Sequence, residues 1–204
     1  LEAIGAEVVV ADNHDPSALE AAFAGAAAVY GITTWSGSTF AADGSVRRPA
    51  DVTSESLLAS EVAQGLNIIA AAEAADVGHF VLQSMHRGGL REGEPSADGH
   101  RVDASVPAPL HHRAKWRQEE ALRASSLRRW SILRQPTYLE NFGNDALAAK
   151  GTRLRLLHPG VVSGLLAPET ELTVIAVDDL GQIALAIMKE GDAYHGRTLA
   201  AGAE

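Results

Sequence analysis

Short β-branched runs recur along this chain, separated by stretches with helical apolar spacing, and this alternation constrains the fold more than any other feature. The runs lie at residues 7–10, 27–32, 79–84 and 130–134, with two more at 172–176 and 198–200. Between them, Leu19, Ala22 and Phe23, and then Leu57, Leu58, Val62, Leu66, Ile69 and Ala70, recur at three- and four-residue steps, the mark of a helix with one buried face. A third helix is predicted over 111–125, and a fourth runs through Ala184, Ile187 and Met188. Single strands alternating with helices make βαβ units, hence a doubly wound α/β fold on a parallel sheet.

End signals sharpen the pattern. Gly5 reads as the C′ residue of a helix ending there, and Asp15 with Pro16 opens the next one. Ser54 and Ser56 precede the long helix, Gly78 stops it, and Asp178 with Asp179 is predicted to cap the fourth. Residues 33–50 and 85–109 lack an apolar period and are predicted loops.

Composition narrows the function classes. The 204 residues, 46% hydrophobic, suffice for one core, so residues 1–204 are expected to form a single domain. The net charge of -9, with basic residues scattered, does not suit a phosphate backbone, so nucleic acid is not the expected partner. Absence of cysteine removes disulfides, thiolate metal sites and cysteine nucleophiles. No apolar run reaches the roughly 18 residues needed to span a bilayer. With no basic-then-apolar start either, neither membrane nor secretory signal is expected, and the protein reads as cytoplasmic. His100, Asp103, His111 and His112 fit no common zinc spacing, so no metal is expected. A serine hydrolase is set aside because no Gly-x-Ser-x-Gly elbow occurs.

Several ordered phrases carry a resemblance. They are residues 5–12 (GAEVVVAD), 61–67 (EVAQGLN) running into 79–84 (HFVLQS), 111–115 (HHRAK), 132–142 (ILRQPTYLENF), 177–181 (VDDLG) and 196–199 (GRTL). In this order they resemble the NmrA-like family, an atypical branch of the short-chain dehydrogenase/reductase superfamily with a Rossmann-like NAD(P)-binding fold. The family opens on a strand, a Gly-x-x-Gly-x-x-Gly turn and a helix, whose N-terminus holds the pyrophosphate. The resemblance therefore implies a sheet that is N-terminally truncated, with the first β-α-β absent and a gap beside the 7–10 run. Three resolutions stand open: a fragmentary sequence, direct pairing of that run with the 27–32 run, or a partner chain completing the sheet. Residues 143–204 would contribute a small C-terminal, substrate-side part.

The resemblance also implies a site at the carboxyl ends of the strands. Asp12 would accept from the adenine amino group, with Asn13 beside it; by local chemistry alone Asp12 opens an Asx turn leading to the Asp15 cap. Ile32, Thr33 and Thr34 lie where the chain passes the riboses. His111 and Lys115, four apart on one helix face, take the places of the Tyr-x-x-x-Lys pair of catalytic short-chain dehydrogenases, with His in the Tyr position. Ser84 falls where those enzymes polarise the substrate carbonyl, with Gln83 next to it. Pro136, Thr137, Tyr138 and Asn141 follow the strand at 130–134 and match the family's cofactor-side segment. The catalytic candidates are thus Lys115, His111 and Ser84, and the cofactor is NADP(H) or NAD(H), with NADP favoured. The implied function is NAD(P)H-dependent reduction of a small carbonyl or quinone-type acceptor. The alternatives are a non-catalytic NADP(H) sensor that binds a protein partner, and a truncated member with impaired cofactor binding.

Overall fold

A computed structural model of the chain describes residues 2–35, 39–40, 46–47, 53–86, 110–142, 155–158, 161–163 and 171–202. Its first half runs through a 3-10 turn (Glu2–Ile4), α1 (Pro16–Phe23), β1 (Ala28–Gly31), two short strands β2 (Thr39–Phe40) and β3 (Val46–Arg47), α2 (Ser54–Ala74) and β4 (His79–Met85). The second half continues with α3 (Leu110–Ala124), β5 (Trp130–Gln135), β6 (Thr137–Tyr138), a 3-10 turn (Leu139–Phe142), β7 (Arg155–His158), β8 (Val161–Ser163), β9 (Val174–Ile175), α4 (Val177–Lys189), α5 (Gly191–Tyr194) and β10 (Thr198–Ala200). No described helix is long and apolar enough to cross a membrane.

Four of the six apolar runs pair as predicted into a parallel sheet, in the order β1-β4-β5-β10. Alternation along β4 sorts its side chains between two cores. Phe80 and Leu82 join Ile68 and Ala72 of α2 and Leu122 of α3 on one face. Val81 joins Leu133 of β5 and Leu180, Ala184 and Ile187 of α4 on the other. Both faces are covered by helices, as a doubly wound sheet requires.

Local chemistry sets the starts of α1 and α2. The Asp15 carboxylate accepts from the amides of Ser17 and Ala18 and so caps α1. Thr53 and Ser56 exchange bonds in a capping box, which places the start of α2 at Ser54. The end of α2 departs from expectation, since the helix finishes at Ala74 and turns at Asp76, whose φ is 50°. Gly78 serves close packing instead: a Cβ there would lie 2.6 Å from the carbonyl oxygen of Ala27.

Four further expectations are corrected. Residues 7–10 do not form a strand; Val8, Val9 and Val10 are exposed, Val10 by 94%, and pair with no strand among the described residues. A β-branched run gains from extension only where an adjacent strand and a covering layer receive it, and here the segment meets the core only at its end, where Ala11 packs against it. Direct pairing with β1 is therefore not the arrangement adopted. Asp178 and Asp179 do not cap α4, whose N-cap is Ala176. The Val177 amide donates instead to Glu140 Oε1 at 3.0 Å, while the two aspartates sit in the first turn, where the helix dipole favours them. The 33–50 loop contains the antiparallel pair β2–β3, and the predicted 172–176 strand shortens to β9, which pairs with β6. Of the 85–109 loop, residues 87–109 fall outside the described residues.

Helices α2 and α3 touch where Gly65 faces Gln118. A Cβ on Gly65 would stand 2.2 Å from Gln118 Cγ, and Gln118 is wholly buried and bonded to both Glu61 and Thr33. Gly65→Val should therefore cost about 2–3 kcal/mol by overpacking, read as an earlier denaturation midpoint; an unchanged midpoint would show that the two helices separate freely.

Candidate functional site at the strand ends

The inward stripe of α2 carries Glu61, Gln64, Gly65, Ile68 and Ala72, and that of α3 carries Ala114, Lys115, Gln118, Glu119 and Leu122. In both helices the stripe is apolar toward the C-terminus and polar toward the N-terminus. Since these helices run back along the strands, their polar halves meet the carboxyl ends of β1 and β4, where open α/β sheets bind ligands.

Around Thr33, just past β1, four side chains converge. The Lys115 ammonium donates to the Thr33 carbonyl at 3.3 Å and to its hydroxyl at 2.5 Å, and lies 3.1 Å from Glu61 Oε1. Thr33 Oγ1 in turn stands 3.0 Å from Glu61 Oε1 and 3.1 Å from Gln118 Oε1. The other Glu61 oxygen, Oε2, is 2.6 Å from His111 Nδ1. Glu61 is fully buried and Lys115 is 3% exposed. Burial works to raise the Glu61 carboxyl, but the His111 bond and the Lys115 charge outweigh it and hold the group below its ordinary value. Burial lowers the Lys115 ammonium, and Glu61 offsets part of that. Beside them, the Thr34 amide donates to Gln64 Oε1 at 3.2 Å.

Ser84 shares this face but belongs to a different network. Its hydroxyl is fully buried and donates to Glu119 Oε1 at 2.6 Å. Glu119 also receives Arg134 through Nε at 2.9 Å and a second guanidinium nitrogen at 2.7 Å, and Arg123 at 3.0 Å. The structure thus gathers Thr33, His111 and Lys115 but turns Ser84 away from them, into the joint between α3 and the sheet.

The opposite face brings Gln83 and Tyr138 together. Tyr30 donates to Gln83 Oε1 at 3.0 Å, and Gln83 Nε2 donates to the Tyr138 oxygen at 2.9 Å. Tyr138 thereby keeps its own O–H free to donate elsewhere. Burial raises both phenols, that of Tyr138 against the opposing pull of the Gln83 amide. These groups line an open cavity of about 420 Å³ whose wall is otherwise largely apolar, from Ile32 to Leu180, Ala184 and Met188 of α4.

The remaining predicted residues take separate places. Asp12 Oδ1 accepts from the His14 amide at 2.8 Å, which is the Asx turn its local chemistry suggested. Asn13 reaches the sheet, donating to the Ile32 carbonyl at 3.2 Å, and its own carbonyl accepts from Asn67. Thr137 pairs with Val174 in the β6–β9 ladder, Pro136 joins β5 to it, and Asn141 sits half-buried in the 3-10 turn beyond. His100 and Asp103 lie outside the described residues, among which no group of ligating side chains could hold a metal ion.

Residues 1–204 match the NmrA-like family. The chain belongs to that family. Among solved structures it is similar to the triphenylmethane reductase of Citrobacter sp. complexed with NADP(H), at 18% identity and a TM-score of 0.61, covering 100% of this chain and 56% of that one. It is also similar to a short-chain dehydrogenase/reductase superfamily protein of Agrobacterium tumefaciens with bound NAD, at 22% and 0.63, covering 100% and 68%. A nucleoside-diphosphate-sugar epimerase of Staphylococcus aureus gives 12% and 0.57, covering 95% and 53%. At these identities the likeness shows the fold, and the chain spans little more than half the length of the first structures it matches. No curated protein matches.

Within this NmrA-like chain, Glu61, Gln118, Glu119 and Arg134 were not foreseen as site residues. A signal existed for three of them. Glu61 lies seven residues before Ile68 and eleven before Ala72, and Gln118 and Glu119 precede Leu122 by four and three, so the helical period places all three on inward stripes. A polar residue at an inward position demands a buried partner, and most of the partners here lie 15 to 85 residues away in sequence.

Proposed function

We propose that this chain forms the nicotinamide side of an NAD(P)(H)-dependent oxidoreductase acting on a small carbonyl or quinone-type acceptor. The observation that carries the reading is the convergence of Lys115 and His111 on the two oxygens of Glu61, with Lys115 also bonded to Thr33 at the carboxyl end of β1. Membership of the NmrA-like family supports it, as do the NADP(H) and NAD of the Citrobacter and Agrobacterium structures. The donor set fits the nicotinamide half of such a cofactor. Strand-end carbonyls, the Thr34 hydroxyl and the Tyr138 hydroxyl, which accepts from Gln83, suit ribose hydroxyls and a carboxamide, and Ile32 offers an apolar surface. Asp12 and Asn13 would lie toward the adenosine, with Gln83, Pro136, Thr137 and Asn141 along the nicotinamide side. Bound there, the cofactor supplies a hydride. Lys115 holds Thr33 and the strand end in place, and His111 is the group within reach to exchange a proton. Ser84 has no part in this reading, because Glu119 takes its hydroxyl. NADP(H) is the cofactor to test first, and the cytoplasm is the compartment proposed.

One observation favours a second reading, a cofactor-sensing protein without turnover: all three Lys115 contacts are already made within the protein. A fluorescence titration with NADPH, followed by NADPH oxidation against aldehydes and quinones, separates the two. Saturable binding with acceptor-dependent oxidation is expected. Binding without oxidation by any acceptor selects the sensor, and absence of binding removes both.

A further inference from the structure

We propose that Glu61 fixes the tautomer of His111, placing the proton on Nδ1 and reserving Nε2 for proton exchange with a bound acceptor. The inference rests on the oxidoreductase reading above and adds to it a positioning residue on a different helix.

The two oxygens of Glu61 face different chemistry. Oε1 meets the Lys115 ammonium at 3.1 Å and the Thr33 hydroxyl at 3.0 Å, and an ammonium has only protons to give. Oε2 lies 2.6 Å from His111 Nδ1. An ionised carboxylate accepts and cannot donate, so a neutral imidazole facing it must carry its proton on Nδ1. The identity of the protonated ring nitrogen is set by the partner of the other one, as it is for histidines that bind metals or activate nucleophiles.

Nε2 has no hydrogen-bond partner among the described residues, and the His111 side chain is 29% exposed. Trp35, from the segment after β1, stacks at a tilt with ring centroids 5.4 Å apart and limits how far the imidazole can turn. The charged and titratable groups facing this ring are Glu61 from α2, Lys115 one helical turn on, and His112, whose ring lies 6.4 Å away. Among the described residues, only Glu61 bonds to it.

In the reduction, the dinucleotide when bound would supply the hydride, its C–H bond breaking as NAD(P)H becomes NAD(P)+, and as a C–H bond forms on the acceptor's carbonyl carbon negative charge would grow on the oxygen. The Nε2–H bond of the His111 imidazolium breaks and an O–H bond forms. What remains is the neutral Nδ1–H imidazole, still bonded to Glu61, and solvent returns the proton. Glu61 keeps its charge throughout and touches neither substrate nor cofactor.

Glu61→Gln gives a sharp test. Lys115 and Thr33 will continue to demand an acceptor, so the amide oxygen takes the Oε1 position and the amide nitrogen is left facing Nδ1. An amide N–H donates, and Nδ1 must then accept, which moves the imidazole proton to Nε2. Long-range proton–nitrogen correlation spectra of histidine-labelled protein, recorded with the imidazole neutral, report the tautomer directly. The chain has 8 histidines, and a His111→Asn protein assigns the signal.

The expected result is Nδ1–H in the unaltered protein and Nε2–H in Glu61→Gln. Acceptor-dependent kcat in that variant should fall roughly 10²–10⁴-fold, the usual worth of a positioned acid–base group, with KM for NADPH unchanged. Nε2–H in the unaltered protein overturns the proposal without any variant. The same tautomer in both proteins also overturns it, as does a switched tautomer with undiminished kcat. A switched tautomer in a protein that reduces no acceptor would instead sink the oxidoreductase reading and leave the Glu61–His111 assignment standing.

Discussion

The Glu119→Ala protein is expected to lose about 3–5 kcal/mol of stability, the scale seen when one partner of a buried charge pair is removed. Glu119 is wholly buried and receives both arms of Arg134, the Ser84 hydroxyl and Arg123. Truncation takes both carboxylate contacts from the Arg134 guanidinium, whose side chain is only 21% exposed. At roughly 2–4 °C per kcal/mol for a chain of this size, the melting temperature should drop by about 10 °C. Arg123→Ala is the companion measurement. That side chain is 39% exposed, so its pair with Glu119 contributes about 1 kcal/mol or less. If the two variants melt alike, the network does not tie α3 to the sheet. A functional effect should follow the stability effect, because Glu119 lies one helical turn beyond Lys115 and holds α3 against β4 and β5.

Lys115→Met carries the second large effect, and its signature is a changed response to acid. Removing the ammonium leaves the Glu61 carboxylate buried with the imidazole and a hydroxyl as its partners, at a cost of about 3 kcal/mol near neutral pH. In the unaltered protein Glu61 sits below its usual value of 4.5: burial raises it, while the His111 bond and the Lys115 charge lower it further than burial lifts it. A carboxyl whose folded value lies below its unfolded one contributes stability above the unfolded value and loses it as pH falls through the folded value. In Lys115→Met one lowering influence is gone and burial keeps its full effect, so the folded value rises toward or past the unfolded one and the variant loses less stability to acid than the unaltered protein does. The gap between the two proteins should then narrow toward acid, where protonation relieves the uncompensated charge. Urea unfolding at several pH values measures this. Parallel stability curves across the range would show that Glu61 and Lys115 are not energetically paired.

How far the sequence carried depends on whether a feature's partner is local. The sheet strands β1, β4, β5 and β10 and helices α2 and α3 were legible because burial on one or two faces imposes a period that residues such as Phe80, Leu82, Ile68 and Leu122 display directly. The Asp15 cap and the Asp12 turn were legible because both partners lie within three residues. Val8–Val10 was misread because β propensity expresses a fit to a neighbouring surface, and no strand lies beside that segment among the described residues. The start of α4 was misread because Glu140, 37 residues upstream, supplies the acceptor that Asp178 and Asp179 seemed placed to give. The site divides in the same way. The shared face of His111 and Lys115 follows from helical spacing, but the carboxylate that joins them belongs to α2, and the turning of Ser84 toward Glu119 depends on how α3 lies across β4.

The position of β1 at one end of the sheet also bears on how the protein behaves in a tube. Its outer row of amide and carbonyl groups meets no strand among the described residues, and the exposed valines 8–10 are chemically suited to extension. An open parallel edge is a template for another copy's backbone. If no residue outside those described covers that edge, self-association should grow with protein concentration, visible as rising light scattering in a dilution series. An apparent cofactor affinity that drifts along that series would be reporting strand addition at this edge, and only the dilute limit measures the ligand.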